Sequence, residues 1–276
     1  MGQETADRAL GYRSNITPEQ AQLIRHLGII GIAGVSLGLI VGGVGGRIVM
    51  RIAAIAAPDR VEGSLTENGN AIGAVTVGGT IELLIFVGIL LGAVGAVIYA
   101  ASERWLRWAG SFSPIAFALL ILMVGSPEAL DHDNRDFLLV GNYELMVGLF
   151  VGLFLLYSVP LPFLIKVLEE RLPRVDPTRP LDSIVGYLSL ASLGSLFAIL
   201  ITVLLISEAD VAAALVLVGM GLATILFWVT DYTDFDLAPL PGLGRILGYG
   251  SLVGAVALGS VQTWRNIESI LAGDFF

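Results

Sequence analysis

The chain has 276 residues, of which 55% are apolar and only 14% charged, against about 25% charged in an ordinary soluble domain. Together with a mean hydropathy of +0.84, this excludes a disordered chain, a coiled coil and a typical cytosolic enzyme. The net charge of −9 argues against nucleic acid as a partner, and the absence of cysteine removes disulfides, thiolate nucleophiles and cysteine-held metal clusters.

Seven apolar stretches lie near 27–50, 79–101, 109–126, 138–165, 183–206, 211–230 and 243–263. Each is long enough, or nearly so, to cross about 30 Å of hydrocarbon at about 1.5 Å per helical residue. The expected fold is all-α: a polytopic transmembrane bundle of about seven spans. Ahead of the first span, Thr17, Pro18 and Gln20 read as N-cap, N1 proline and capping-box partner, so this helix starts in water and then enters the membrane. The weak positive region before it and the lack of a small-residue cleavage site do not fit a signal peptide. The loop at 57–78 carries an Asn68-Gly69 turn followed by Ala74-Val75-Thr76-Val77, which suggests a small surface hairpin.

The third stretch starts at Ser113-Pro114 and stops near Pro127, so it is short, and a re-entrant segment is the alternative. A re-entrant turn would move Lys166, Arg171, Arg174 and Arg179 to the outside, against the charge bias, so the reading keeps a full span. Pro160 and Pro162 predict a kink in the fourth span. Gly79-Thr80-Ile81-Glu82-Leu83 and Gly141-Asn142-Tyr143-Glu144-Leu145 open the second and fourth spans alike, and both continue to a Glu-Arg pair. That similarity suggests two parallel hairpins in a four-span N-terminal half, residues 1–172. A proline-rich cytoplasmic linker, 173–182, leads to a three-span C-terminal half, 183–276. In the fifth span Ser189, Ser192, Ser195 and Thr202 recur at helical intervals, as a polar seam or as helix-to-helix hydrogen bonds.

Orientation follows from Lys and Arg. With the N-terminus inside, ten basic residues lie on cytoplasmic segments and five (Arg47, Arg51, Arg60, Arg135 and Arg265) lie outside. The prediction is N-terminus in, C-terminus out. All four tryptophans, Trp105, Trp108, Trp228 and Trp264, fall at span ends, where indoles form interfacial belts. The acidic excess gathers on the outer loops.

Two patterns stand out as candidate sites. Gly34, Gly38, Gly42 and Gly46 recur every four residues on one face of the first span. Gly88 and Gly92, Gly148 and Gly152, and Gly244 and Gly248 repeat the device elsewhere. Small residues at this spacing allow helix backbones to touch, within one chain, between copies or around a pore. Arg47, Arg51, Glu82 and Glu144 form an intramembrane charged set near the outer boundary. Charges at that depth tend to pair or to line water. The expectation is Arg47 or Arg51 paired with Glu82, with Glu144 nearby, as a structural ion pair or a solute or proton site, with simple interfacial snorkelling as the remaining reading.

Other chemistry is thin. Asp131, Asp133, Asn134 and Asp136 imitate the start of an EF-hand loop without its glycine. Asp231, Asp234 and Asp236 form a second acidic group that reads as a solvated turn. His26 and His132 fall at opposite faces, which removes a bis-histidine haem site. Lys166, the sole lysine, sits at a span end where no retinal Schiff base would form. Ser36 within Gly34-Val35-Ser36-Leu37-Gly38 matches a nucleophile pattern only by letter, and no nucleotide motif is present.

No catalytic residue, metal site or cofactor is therefore expected. The partners are the lipid bilayer and either a second copy or other membrane subunits. The function expected is that of a non-catalytic scaffold or accessory subunit of a membrane assembly in the prokaryotic cytoplasmic membrane. A permease or channel for a small solute or ion, using the outer Glu/Arg set, is the alternative.

Overall fold

The structure is a computed structural model that describes residues 17–57, 76–130, 140–173, 215–232 and 240–273. Among the described residues every regular element is helical. Most of the expected surface hairpin, the EF-hand-like loop with His132, nearly all of the linker, the fifth span and the pair Asp234 and Asp236 lie outside them. Where the hairpin is described, Thr76 and Val77 are the N-cap and first residue of a helix rather than strand.

Helix α1 runs Pro18–Ala56. It starts as the sequence predicts: the Gln20 N–H donates to Thr17 Oγ1 at 3.2 Å, and Gln20 Oε1 accepts from the Thr17 N–H at 3.1 Å. Two of the orphan amides at the helix start are thereby satisfied. Its middle, Gly38–Gly45, widens into a π-helix. Helix α2 consists of Val77–Glu82, a π-helical stretch Leu83–Leu91 and Gly92–Leu106. The two π stretches face each other in the most extensive helix contact among the described residues.

After a short 3-10 turn, Arg107–Phe112, helix α3 covers Ser113–Ala129. By length and composition Val77–Pro127 counts as one apolar helical run. Gly110 divides it, because its φ of 52° and ψ of −121° are not helical, a conformation that side chains with a Cβ adopt at a cost. The chain folds back there. Tyr99 on α2 and Phe117 on α3 meet edge to face, with ring centroids 5.0 Å apart.

Helix α4, Tyr143–Ser158, is capped by Asn142 Oδ1 accepting from the Leu145 N–H. Helix α5, Pro160–Arg171, continues from it after a one-residue break at Val159. Pro160 and Pro162 offer no N–H to the carbonyls of Leu156 and Ser158, and just before them Ser158 Oγ donates back to the Phe154 carbonyl at 2.6 Å. Helix α6 joins a π-helical stretch, Leu215–Met220, to Gly221–Tyr232. Helix α7, Leu240–Ala272, is the longest unbroken α-helix described.

Four runs, Pro18–Ala56, Val77–Pro127, Tyr143–Arg171 and Gly242–Ala272, are long and apolar enough to cross a membrane. Charge placement adds a dimension. Residues 27–46, 83–102, 108–127, 145–165 and 246–264 carry no Asp, Glu, Lys or Arg. His26 and Arg47 bound the first of these and Glu82 and Glu103 the second, each pair 21 positions apart. At about 1.5 Å per residue that is about 30 Å, the thickness of a hydrocarbon core.

The main core lies between these levels and draws Ile29, Ala96, Phe117, Leu161, Val216 and Ala255 from six different helices. A smaller cluster, Ala53, Leu130, Val140, Met146 and Ile270, closes the end opposite His26.

Candidate functional site

The glycines of α1 meet α2 directly. A Cβ on Gly34 would stand 2.5 Å from Ala96 Cβ and 2.7 Å from the Gly92 carbonyl oxygen. One on Gly38 would overlap the Gly88 carbonyl oxygen, and one on Gly42 would lie 2.8 Å from the carbonyl oxygen of Val87. Gly46 faces the Leu83 side chain at 3.3 Å. These residues bring two backbones within one chain together, a contact any larger side chain would block. Gly148 and Gly152 on α4 have nothing within 4 Å of an added Cβ. Gly244 and Gly248 serve rings rather than backbones, making room for Phe227 and Trp105.

The four charged residues named from sequence are spread along the end opposite His26. Arg47 and Glu82 share a level, since their neighbours Gly46 and Leu83 touch. Glu144 lies further out, beside Ala56 in an open cleft of about 470 Å³ also lined by Asn142, Tyr143 and Leu271. Glu82, Glu144 and Arg51 are exposed. Among the described residues no salt bridge joins Arg47 to Glu82 or Glu144. The Arg47 Nε and Nη2 are buried without a hydrogen-bond partner.

A denser polar site forms at the other end, from residues that the sequence reading left apart. Helix α5 ends at Arg171, exposing carbonyls with no partner inside the helix. Arg25 of α1 takes one of them, at Glu169, and the carbonyls of Leu172 and Pro173 just beyond the helix. Its Nε donates to the Pro173 carbonyl at 3.0 Å, and its Nη2 donates to those of Glu169 and Leu172 at 2.9 and 2.7 Å. A cation at a helix C-terminus also meets the negative end of the dipole. This cap holds α5 against α1 and places Glu169 beside the next residue, His26.

His26 lies between two carboxylates, with Nδ1 2.5 Å from Glu169 Oε1 and Nε2 3.1 Å from both Glu103 oxygens. A neutral imidazole has a single N–H, so only the imidazolium donates to both. Arg107 Nη2 approaches Glu103 at 3.6 Å from an exposed position. Arg104 bonds Asp231 of α6 at 2.8 Å and stacks 4.0 Å over the Phe227 ring. One cluster thus ties α1, α2, α5 and α6.

Beneath it, Trp105 is not an interfacial residue as its position at a span end suggested. It is 2% exposed, because its ring is enclosed by Phe227 and Tyr249 at centroid distances of 5.6 and 5.4 Å. Its Nε1–H donates to Thr224 Oγ1 at 3.0 Å, and that hydroxyl donates to the Ala101 carbonyl at 2.8 Å. Trp108 and Trp264, 70% and 68% exposed, keep the outward position the belt requires.

Chemically, this cluster is a clamp. Both ring nitrogens of His26 are committed to carboxylates, and among the described residues no group of three His, Asp or Glu is arranged to ligate a metal. The sequence reading missed the site because its members lie far apart along the chain. A signal was present: His26, Glu103 and Glu169 all fall at the same end of charge-free stretches. No protein-family model, curated protein or solved structure matches this chain.

Proposed function

We propose that this chain is a non-catalytic integral membrane protein, a tightly packed helical scaffold or accessory subunit of a membrane assembly. In this reading it crosses the prokaryotic cytoplasmic membrane seven times, with the His26 end cytoplasmic and the C-terminus outside. Its partners are lipids and either a second copy or other membrane subunits. The observation that carries the proposal is the use of its polar groups. Tyr157 Oη donates to the Gly92 carbonyl, Ser126 bonds Thr263, Asn266 donates to the Pro127 carbonyl and Thr224 joins Trp105 to Ala101, each from one helix to another. Side chains spent on holding helices together are not free to pass a solute along.

One observation favours the permease reading: the cleft of about 470 Å³ that reaches Glu144. Reconstitution into liposomes loaded with pH- and ion-sensitive dyes separates the two. A scaffold gives leak rates equal to those of protein-free vesicles. Flux that falls on Glu144→Gln or Glu82→Gln would replace the scaffold with a transporter.

A further inference from the structure

Arg47 is the first charged residue after the long apolar stretch of α1, and it stands about 30 Å from the level of His26. This is where a bilayer changes from hydrocarbon to headgroup. The side-on edge of its guanidinium, formed by Nε and Nη2, is buried, and neither nitrogen has a hydrogen-bond partner. Arginine has no accessible neutral form in proteins, so a buried donor edge calls for an acceptor rather than for loss of a proton.

Among the described residues no anion of the chain serves. Glu82, level with Arg47 on α2, is exposed and makes no salt bridge with it among the described residues, and Glu144 lies further out. Arg51, one turn on along the same side of the helix, adds a second positive charge. The surroundings are apolar and exposed, at Val44, Ile48 and Ile52 on α1 and Ile81 and Ile85 on α2, a lipid-facing flank in the placement proposed above. Arg47 as a whole residue is half-buried, so part of it reaches the surface while its donor edge points inward. A planar fork with two parallel N–H groups matches an anion with two free oxygens on one centre.

We propose that Arg47 is the anchor of a phosphate-binding site on the lipid-facing flank of α1. The group it takes is a phosphoryl with two free oxygens, carried by a phospholipid headgroup or by free phosphate. The inference rests on the membrane placement proposed above, and that placement is read separately, by partition of the chain into the detergent phase.

The test uses the full chain, delipidated in a mild detergent and titrated with phosphatidylglycerol, phosphatidylcholine or inorganic phosphate under native mass spectrometry. The expected result is one bound phosphoryl group in the wild type, with affinity about tenfold lower in Arg47→Gln and intermediate in Arg47→Lys. Lipid binding that inorganic phosphate does not displace assigns the headgroup as the source. Displacement, or binding of phosphate alone, assigns the free ion. A wild type that binds none of the three, or an Arg47→Gln variant that binds as the wild type does, overturns the proposal. Circular dichroism checks that Arg47→Gln stays helical. If it does not, Arg47→Lys decides, because it keeps the charge and loses the fork, and unchanged affinity there counts against the site.

Discussion

The seam between α1 and α2 makes a sharp prediction at Gly38. In Gly38→Ala the new methyl overlaps the Gly88 carbonyl oxygen and lies 2.6 Å from Gly92 Cα and 3.1 Å from Gly92 N. All three neighbours are backbone atoms of α2, so no rotamer change relieves the overlap. Restoring ordinary carbon contact needs the helices to part by roughly 1 Å, which forfeits a quarter to a half of each dispersion contact along the seam. Overpacking of this kind costs about 1–3 kcal/mol, and a rigid backbone neighbour belongs at the upper end. Replacing glycine by alanine inside a helix returns about 1 kcal/mol of intrinsic preference. The expected net loss is about 2 kcal/mol, roughly a thirtyfold shift in the folding equilibrium. Gly148→Ala is the control, since nothing lies within 4 Å of its added methyl, and it should gain about 0.5–1 kcal/mol. Unfolding in mixed micelles with rising SDS, followed by circular dichroism, reads both variants. If Gly38→Ala matched the wild type while Gly148→Ala lost stability, the assignment of the two faces would be reversed.

Three further outcomes are expected in the same assay. A double-mutant cycle between His26→Phe and Glu169→Gln should give a coupling of about 1 kcal/mol, held down by partial solvent exposure, and additive losses would mean that the clamp does not act as a pair. Thr224→Val should cost about 1–3 kcal/mol, because the buried Trp105 N–H loses its acceptor, and tryptophan fluorescence should shift with it. Arg25→Ala should cost about 1 kcal/mol and raise amide exchange first at the end of α5, where three carbonyls lose their donor. Uniform exchange along the whole chain in that variant would contradict the capping role.

The all-helical class and the positions of most described elements were legible in the sequence, because long charge-free stretches admit few structures other than membrane-length helices. The α1 start at Thr17 was legible for a local reason: a capping box spans only four residues. The glycine spacing likewise named a contact face, while its partner on α2 emerged only from the assembled helices. Trp105 went the other way. Its position at the end of a charge-free stretch predicted an interfacial ring, and packing by Phe227 and Tyr249 from distant segments overrode that. The His26 clamp was least visible, since it is made by three helices meeting, 77 positions apart for His26 and Glu103 and 143 for His26 and Glu169. Charge pairing read along one helix cannot find partners at such separations.

The position of Tyr157 carries a consequence for biogenesis. Its hydroxyl enters the notch beside Gly34 and Gly95 and bonds the Gly92 carbonyl at 2.7 Å, so a ring from α4 is wedged into a seam built wholly from α1 and α2. Those two helices leave the ribosome before α4 and touch each other without help from later residues. The notch is therefore complete before the ring arrives, and α4 docks into it after the seam has formed. Tyr157→Ala should accordingly leave closure of α1 on α2 unchanged while α4 docks later and more loosely, an order that time-resolved cross-linking of nascent chains would reveal. Equal timing of both contacts in the variant and the wild type would show that the wedge sets no sequence of assembly.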